Sequence, residues 1–241
     1  MLVSIASSAL ASTNYVTNGD FELTTNGGGQ LAFNTNATGW INNQDGAGHA
    51  GYNFLFAPGS ADTTGVTGNA GNLKLWGPGD GSANGLPASS PTGGNYIAAD
   101  GVYQMGSIQQ QINGLTLGQT YVLSFYWAGA QQSGFNGITT EQWQVSLGDL
   151  TQKTAIVTNP DHGFTGWQLQ TFNFVADSVN PILSFLAFGT PAGEPPFSLL
   201  DGVSLVGPSQ SQATPEPGTC ALIGLGLLSF PIARKLRRKR P

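Results

Sequence analysis

Between Tyr15 and Val206 apolar and polar residues alternate in short runs separated by turn residues, with hardly any helical periodicity. Tyr121, Leu123, Phe125 and Trp127 fall at every second position and so share one face of an extended segment, as do Trp143, Val145 and Leu147. The pattern predicts strands over residues 15–23, 51–56, 73–76, 96–99, 107–112, 120–128, 141–147, 154–157, 167–176, 182–188 and 197–206. Leu115-Thr116-Leu117-Gly118-Gln119 reads as a turn feeding the strand at 120. Within 167–176 the large side chains are Trp167, Phe172 and Phe174, a spacing that needs a bulge or bend if all three point inward.

About eleven short strands at this spacing imply an all-β fold of two packed antiparallel sheets. Residues 58–95 break the rhythm with ten glycines and four prolines, and only 72–76 inside them looks extended. A loop of that length within a compact domain is usually functional or disordered, and it reads here as a two-part excursion without a domain boundary. No sequence period marks a solenoid or propeller. Composition agrees with an extracellular β protein: 9% of residues are charged, 35 are glycine and 13 are phenylalanine.

Charge is distributed unevenly. Six of the eight basic residues, Arg234, Lys235, Arg237, Arg238, Lys239 and Arg240, close the chain, while residues 1–217 hold all 13 carboxylates with only Lys74 and Lys153. The body therefore carries −11, which disfavours nucleic acid and anionic polysaccharide and suits neutral sugars or divalent cations. A single cysteine, Cys220, excludes a disulfide framework.

The final 27 residues form three pieces. Pro215-Glu216-Pro217 holds the backbone extended, because proline fixes φ and the residue before a proline avoids the helical region. The apolar run 220–233 would span roughly 21 Å as a helix, short of the ~30 Å hydrocarbon core. The basic cluster 234–240 then stays cytoplasmic and leaves residues 1–217 on the other side of the membrane. In that order these pieces resemble the PEP-CTERM sorting signal of Gram-negative bacteria. The resemblance implies recognition by a membrane enzyme, exosortase, with cleavage near the Pro-Glu-Pro motif and transient tethering to the inner membrane. Cys220 reads either as a lipidation or redox thiol or as a small apolar residue at a helix start. At the other end Ala9-Leu10-Ala11 fits a signal-peptidase site, so residues 1–11 read as the remnant of a signal peptide, or else as the leading strand of the domain. Residues 12–208 are then the sandwich and 209–214 a linker.

A second resemblance covers the body. Asn18-Gly19-Asp20-Phe21-Glu22, Gly39-Trp40, Gly118-Gln119-Thr120-Tyr121-Val122-Leu123-Ser124-Phe125, Gly166-Trp167 and Leu200-Asp201-Gly202-Val203-Ser204-Leu205 occur in that order. Together they resemble the galactose-binding-like jelly roll of carbohydrate-binding modules. The resemblance implies a structural Ca²⁺ held by Asp20, Glu22 and Asp201, with Asn18 as a further oxygen donor. Calcium takes six to eight oxygens in irregular geometry, which suits strand ends. Asp-Gly at 201–202 replaces the Asp-Asp often found in such modules, one donor fewer. Ordinary solvated turn carboxylates are the alternative.

Sugar binding would use aromatic platforms. Pattern and family position put Trp40, Trp143 and Trp167 in the core, leaving Tyr52, Phe54, Trp76, Tyr96 and Tyr103 in or beside loops, although aromatics in a sandwich more often pack. Catalysis has little support. His49 and His162 lack a nucleophile motif or metal spacing, and a glycosidase needs two carboxylates across a cleft, of which Glu141 or Glu194 could supply only one. The expectation is an exported, non-catalytic matrix protein associated with exopolysaccharide, with a lectin-like module for a neutral glycan as the alternative.

Overall fold

The computed structural model describes residues 12–208, so the expected leader, linker and sorting signal lie outside the described residues. In chain order the strands begin β1 (Gly29–Gln30), β2 (Ile41–Asn42), β3 (Asn53–Phe56), β4 (Val66–Gly68), β5 (Gly71–Leu73), β6 (Tyr96–Asp100) and β7 (Ile108–Gln111). They continue β8 (Thr120–Gln131), β9 (Thr139–Leu147), β10 (Leu150–Lys153), β11 (Val157–Asn159), β12 (Gln168–Val175), β13 (Ile182–Thr190) and β14 (Pro196–Val206). One sheet runs β1-β3-β6-β14-β8-β12 and the other β10-β9-β13-β7-β2, with β11 also on β9. From β6 to β9 and again from β12 to β14, consecutive strands alternate between the sheets, and their pairings are antiparallel. That alternation makes the body a jelly-roll sandwich. No helix among the described residues is long and apolar enough to cross a membrane.

The two sheets bury their faces differently, and the sequence shows why. On β9 and β13 apolar residues alternate, so one face meets the core and the other stays open. Trp143, Val145, Leu147, Leu183, Phe185 and Ala187 point inward against Leu123, Phe125 and Trp127 of β8. Phe185 sits at the centre, with ring centroids 5.1 Å from Phe125, 5.9 Å from Trp143 and 6.2 Å from Trp40. In the first sheet, β3, β6 and much of β14 are instead continuously buried. Their outer face carries Phe54, Phe56, Tyr96, Ala98, Phe197 and Leu199, and the excursion lays Ala61, Val66, Leu73, Leu75 and Leu86 over them. The long glycine-rich segment is therefore a second layer that gives this sheet a second core.

Several strand expectations change for local reasons. Residues 15–23 do not form a strand: after a bridge from Asn14 to Val206, Asn18 and Phe21 take φ of 50° and 54°. The Asn18 side chain fixes that turn by donating to the Leu23 and Thr38 carbonyls and accepting from the Leu23 amide. Of the extended piece expected at 73–76, Leu73 ends the β4–β5 hairpin and Leu75 makes a lone bridge to Gln132, while 154–157 is the joint between β10 and β11. No bulge is needed near Trp167. Phe172 and Phe174 face the inter-sheet core, while Trp167 precedes β12 and packs on the second core, 5.5 Å from Tyr96.

Truncating Phe185 to alanine should lower unfolding stability by about 3–5 kcal/mol, because a central aromatic leaves an unfilled space. Ile182→Ala, on the same strand but 46% exposed, should cost under about 1 kcal/mol in the same urea titration.

Candidate functional site

A concavity lies where β6 ends. Asp100 closes that strand and turns the chain, its Oδ1 accepting the amides of Val102 at 2.7 Å and Tyr103 at 2.9 Å, an Asx turn. The turn brings the Tyr103 ring edge-on to Tyr52, with centroids 5.1 Å apart and planes at 86°. Phe135 and Gln132 from the β8–β9 connection, Ala192, Gly193 and Pro195 from the β13–β14 connection, and Ala70 from the β4–β5 turn complete a cavity of about 470 Å³. Tyr103 is half exposed, whereas Tyr52 is 6% exposed and shows the cavity little more than its edge.

Asp100 is the one carboxylate in this lining. It is 3% exposed, and its Oδ2 has no hydrogen-bond partner among the described residues. Burial pushes its pKa up to about 6, against the pull of the two amides on Oδ1. Burial, then the nearby Asp100 charge, also raises the Tyr52 phenol.

Trp76 stands behind the rim. Its indole N–H donates to the Phe135 carbonyl at 2.8 Å and its ring lies 4.0 Å from the His162 ring at 33°, so it braces the Phe135 segment. Tyr96 is 1% exposed inside the second core and offers no platform to a ligand, a correction to its reading as a loop aromatic. Its run Tyr96-Ile97-Ala98-Ala99 is covered on both faces. Of the five expected ligand aromatics the fold brings Tyr52 and Tyr103 together, sets Trp76 beside them and buries Phe54 and Tyr96 in the second core. Asp100 and Phe135 were not picked out from the sequence. The Asp-Gly that ends an apolar run was the available signal for Asp100; Phe135 joins through tertiary contact alone.

The expected calcium donors are only partly gathered. Asp201 is fully buried on β14, and its Oδ2 accepts the Ser90 and Thr92 hydroxyls. Its Oδ1 has no partner among the described residues. Burial foremost, with the neighbouring Asp20 charge adding to it, raises its pKa to about 6 despite those hydrogen bonds. An orphaned buried carboxylate oxygen beside a second carboxylate fits a cation. Glu22 is committed elsewhere, its Oε1 accepting the Asn95 amide at 2.6 Å. No group of three or more His, Cys, Asp or Glu suited to a metal occurs among the described residues. Gly202 explains the Asp-Gly pair: its φ is 60°, and a Cβ there would come within 2.7 Å of Thr92.

The carboxylates considered for hydrolysis do not face each other across a cleft. Glu141 is sealed between the sheets, with Oε1 accepting the Thr139 hydroxyl and Oε2 lying over Gly129. Glu194 lies on the β13–β14 connection and accepts the Asn136 amide at 3.1 Å. His162 is 3.5 Å from Asp161, but its ring is stacked on Trp76 and its Nε2 pairs with Asn136 at 2.7 Å.

Three comparisons bear on this geometry. Residues 213–239 match the PEP-CTERM protein-sorting motif, so the chain carries the C-terminal signal of exported, exosortase-sorted proteins. Comparison with curated proteins gives no match. Among solved structures the body is similar to the carbohydrate-binding module TmCBM61 in complex with β-1,4-galactotriose, at 16% identity and TM-score 0.39 over 82% of this chain and 100% of that one. It is also similar to the CBM22-1 xylan-binding domain of Paenibacillus barcinonensis Xyn10C, at 10% identity and TM-score 0.38 over 83% and 97%. A third is the enzymatically active domain of bacteriophage CBA120 tailspike protein 4, at 14% identity and TM-score 0.37 over 81% of this chain and 21% of that one. Likeness at this level carries no statement about ligand or activity.

Burial raises the Glu141 pKa from 4.5 to about 8, so the folded state binds the extra proton between those values. Its contribution to stability is therefore full below pH 4.5 and is lost as pH rises through 8. Glu141→Gln should flatten this fall, leaving the variant more stable than the parent at pH 9 in urea titrations.

Proposed function

We propose that this chain is a non-catalytic exported protein that exosortase sorts and cleaves near Pro215-Glu216-Pro217, and whose sandwich associates with an extracellular polysaccharide. The observation that carries the reading is the sorting motif at 213–239 on a chain whose body is a β-sandwich with an aromatic and carboxylate-lined cavity. In this reading the basic tail stays cytoplasmic while the body faces the periplasm, and cleavage frees the body for the envelope or the surrounding matrix. Burial of Glu141 and the engaged state of Glu194 and His162 support binding over hydrolysis.

A lectin-like role is the second reading, and the cavity favours it. Tyr103 with the apolar Val102, Phe135 and Pro195 would pack a sugar ring, while Asp100 and Gln132 would take its polar groups. Intact mass of the protein purified from its native host should report a C-terminus within a few residues of Pro217. A mature mass that retains the basic tail contradicts processing.

Structural calcium belongs to the same reading, with Asp201 and Asp20 as its carboxylate donors and a role confined to tying the 18–23 turn to β14. Saturating Ca²⁺ at 100 times its Kd should stabilise the fold by about 2.7 kcal/mol, and chelator should reverse the gain. Asp201→Asn should abolish the response. A melting temperature indifferent to both calcium and chelator rules the ion out.

A further inference from the structure

Asp100 presents an unsolved charge problem. Its carboxylate is buried against Tyr52 and Tyr103 at the wall of an otherwise mostly apolar cavity. Oδ1 is satisfied by two amides, and Oδ2 is not. The two cations among the described residues are engaged elsewhere: Lys74 pairs with Asp80, and Lys153 sits 4.9 Å from the Phe188 ring centroid. A buried carboxylate without a counter-ion is costly, and a partner that brings only a hydroxyl would satisfy the oxygen while leaving the charge. A partner that brings an ammonium group answers both needs. Aromatic rings around the same space add to this, because a cation over or beside them is attracted by the ring quadrupole. The body's charge of −11 draws cations toward the site and repels polyanions.

We propose that the cavity of Tyr52, Asp100, Tyr103 and Phe135 binds a sugar residue carrying an ammonium group, as in a de-N-acetylated amino-sugar polymer. The proposal rests on the glycan reading given above and specifies its ligand. The ammonium lies against Asp100 Oδ2, and the apolar face of the sugar ring packs on Phe135 and Tyr103. Oδ2 is itself covered, so contact requires a side-chain shift, and the half-exposed Tyr103 on the rim has the room to make it. The amide group of an N-acetylated sugar has no charge to offer Asp100 and brings an additional methyl that the same space must accommodate.

The test is calorimetric titration of the processed protein with three probes at fixed ionic strength: a glucosamine tetramer, an N-acetylglucosamine tetramer and a galactose tetramer. The glucosamine tetramer should bind at least about tenfold more tightly than either neutral one, the difference expected of a charge pair reinforced by aromatic contact. Asp100→Asn keeps the Oδ1 acceptor for the Val102 and Tyr103 amides, and should reduce that preference to less than about twofold. Tyr103→Ala, at a half-exposed position, should weaken all sugar binding with at most a small drop in the melting temperature. Equal affinities for the three probes, or a preference that survives Asp100→Asn, overturn the charge assignment and leave glycan binding standing. Binding of none of the three overturns both. Should Asp100→Asn fail to fold, the preference measured on the unsubstituted protein decides the matter alone.

Discussion

One sheet of this sandwich is apolar on both faces, and the rest of the body is arranged to meet that constraint. A conventional two-sheet core covers only the inner face of β3, β6 and β14. Left open, the outer face would expose Phe54, Phe56, Tyr96, Phe197 and Leu199 to water at about 25 cal/mol for each Å² of apolar surface. The excursion between β3 and β6 closes it. Its glycines and prolines let a chain with little regular structure turn back across the sheet, and its few apolar residues supply the contact. The tip of the β4–β5 hairpin, at Ala70, thereby becomes part of the rim of the cavity. A segment that looks like a loose loop in composition is the second wall of the domain.

A second theme is the placement of acid groups. The chain is poor in charge, with 9% charged residues, yet Asp100, Glu141 and Asp201 are all buried. Each keeps one oxygen without a hydrogen-bond partner among the described residues. Burial is the leading cause of the raised pKa in all three. Their surroundings separate their roles. Glu141 lies between the sheets over Gly129, out of reach of a ligand. Asp100 lines a cavity bounded by aromatic rings. Asp201 is held by two hydroxyls and feels the charge of Asp20.

How much of this could be read from the sequence depended on the range of the interaction. The alternation in β9 and β13 has period two over many residues, so Trp143 and Val145 were assigned to the core correctly. The sorting signal is linear: its order of Pro-Glu-Pro, apolar run and basic cluster needs no tertiary contact, and the family match at 213–239 agrees with it. The expectation for Tyr96 fails because periodicity reports which residues share a face and not whether a distant loop covers that face; Trp167 does pack on a core, but on the second one rather than between the sheets. The pattern over residues 15–23 reads as a strand, but the left-handed conformations of Asn18 and Phe21 turn the chain there instead. Asp201 is singled out by a family resemblance, yet its hydroxyl partners Ser90 and Thr92 lie about a hundred residues away in a stretch with no motif. Long-range polar partners of this kind leave no local trace.

The proposed glycan site at the Tyr52–Tyr103 cavity, together with the proposed processing near Pro217, is tested most directly by a crystal structure of the protein from its native host grown with an oligosaccharide. The account predicts a chain ending near Pro217 and a sugar ring in the cavity, packed on Phe135 and Tyr103 with a polar group toward Asp100. A sugar ordered instead on the open face of the second sheet, along Gln142 and Gln144, with the cavity closed over Asp100, would contradict it.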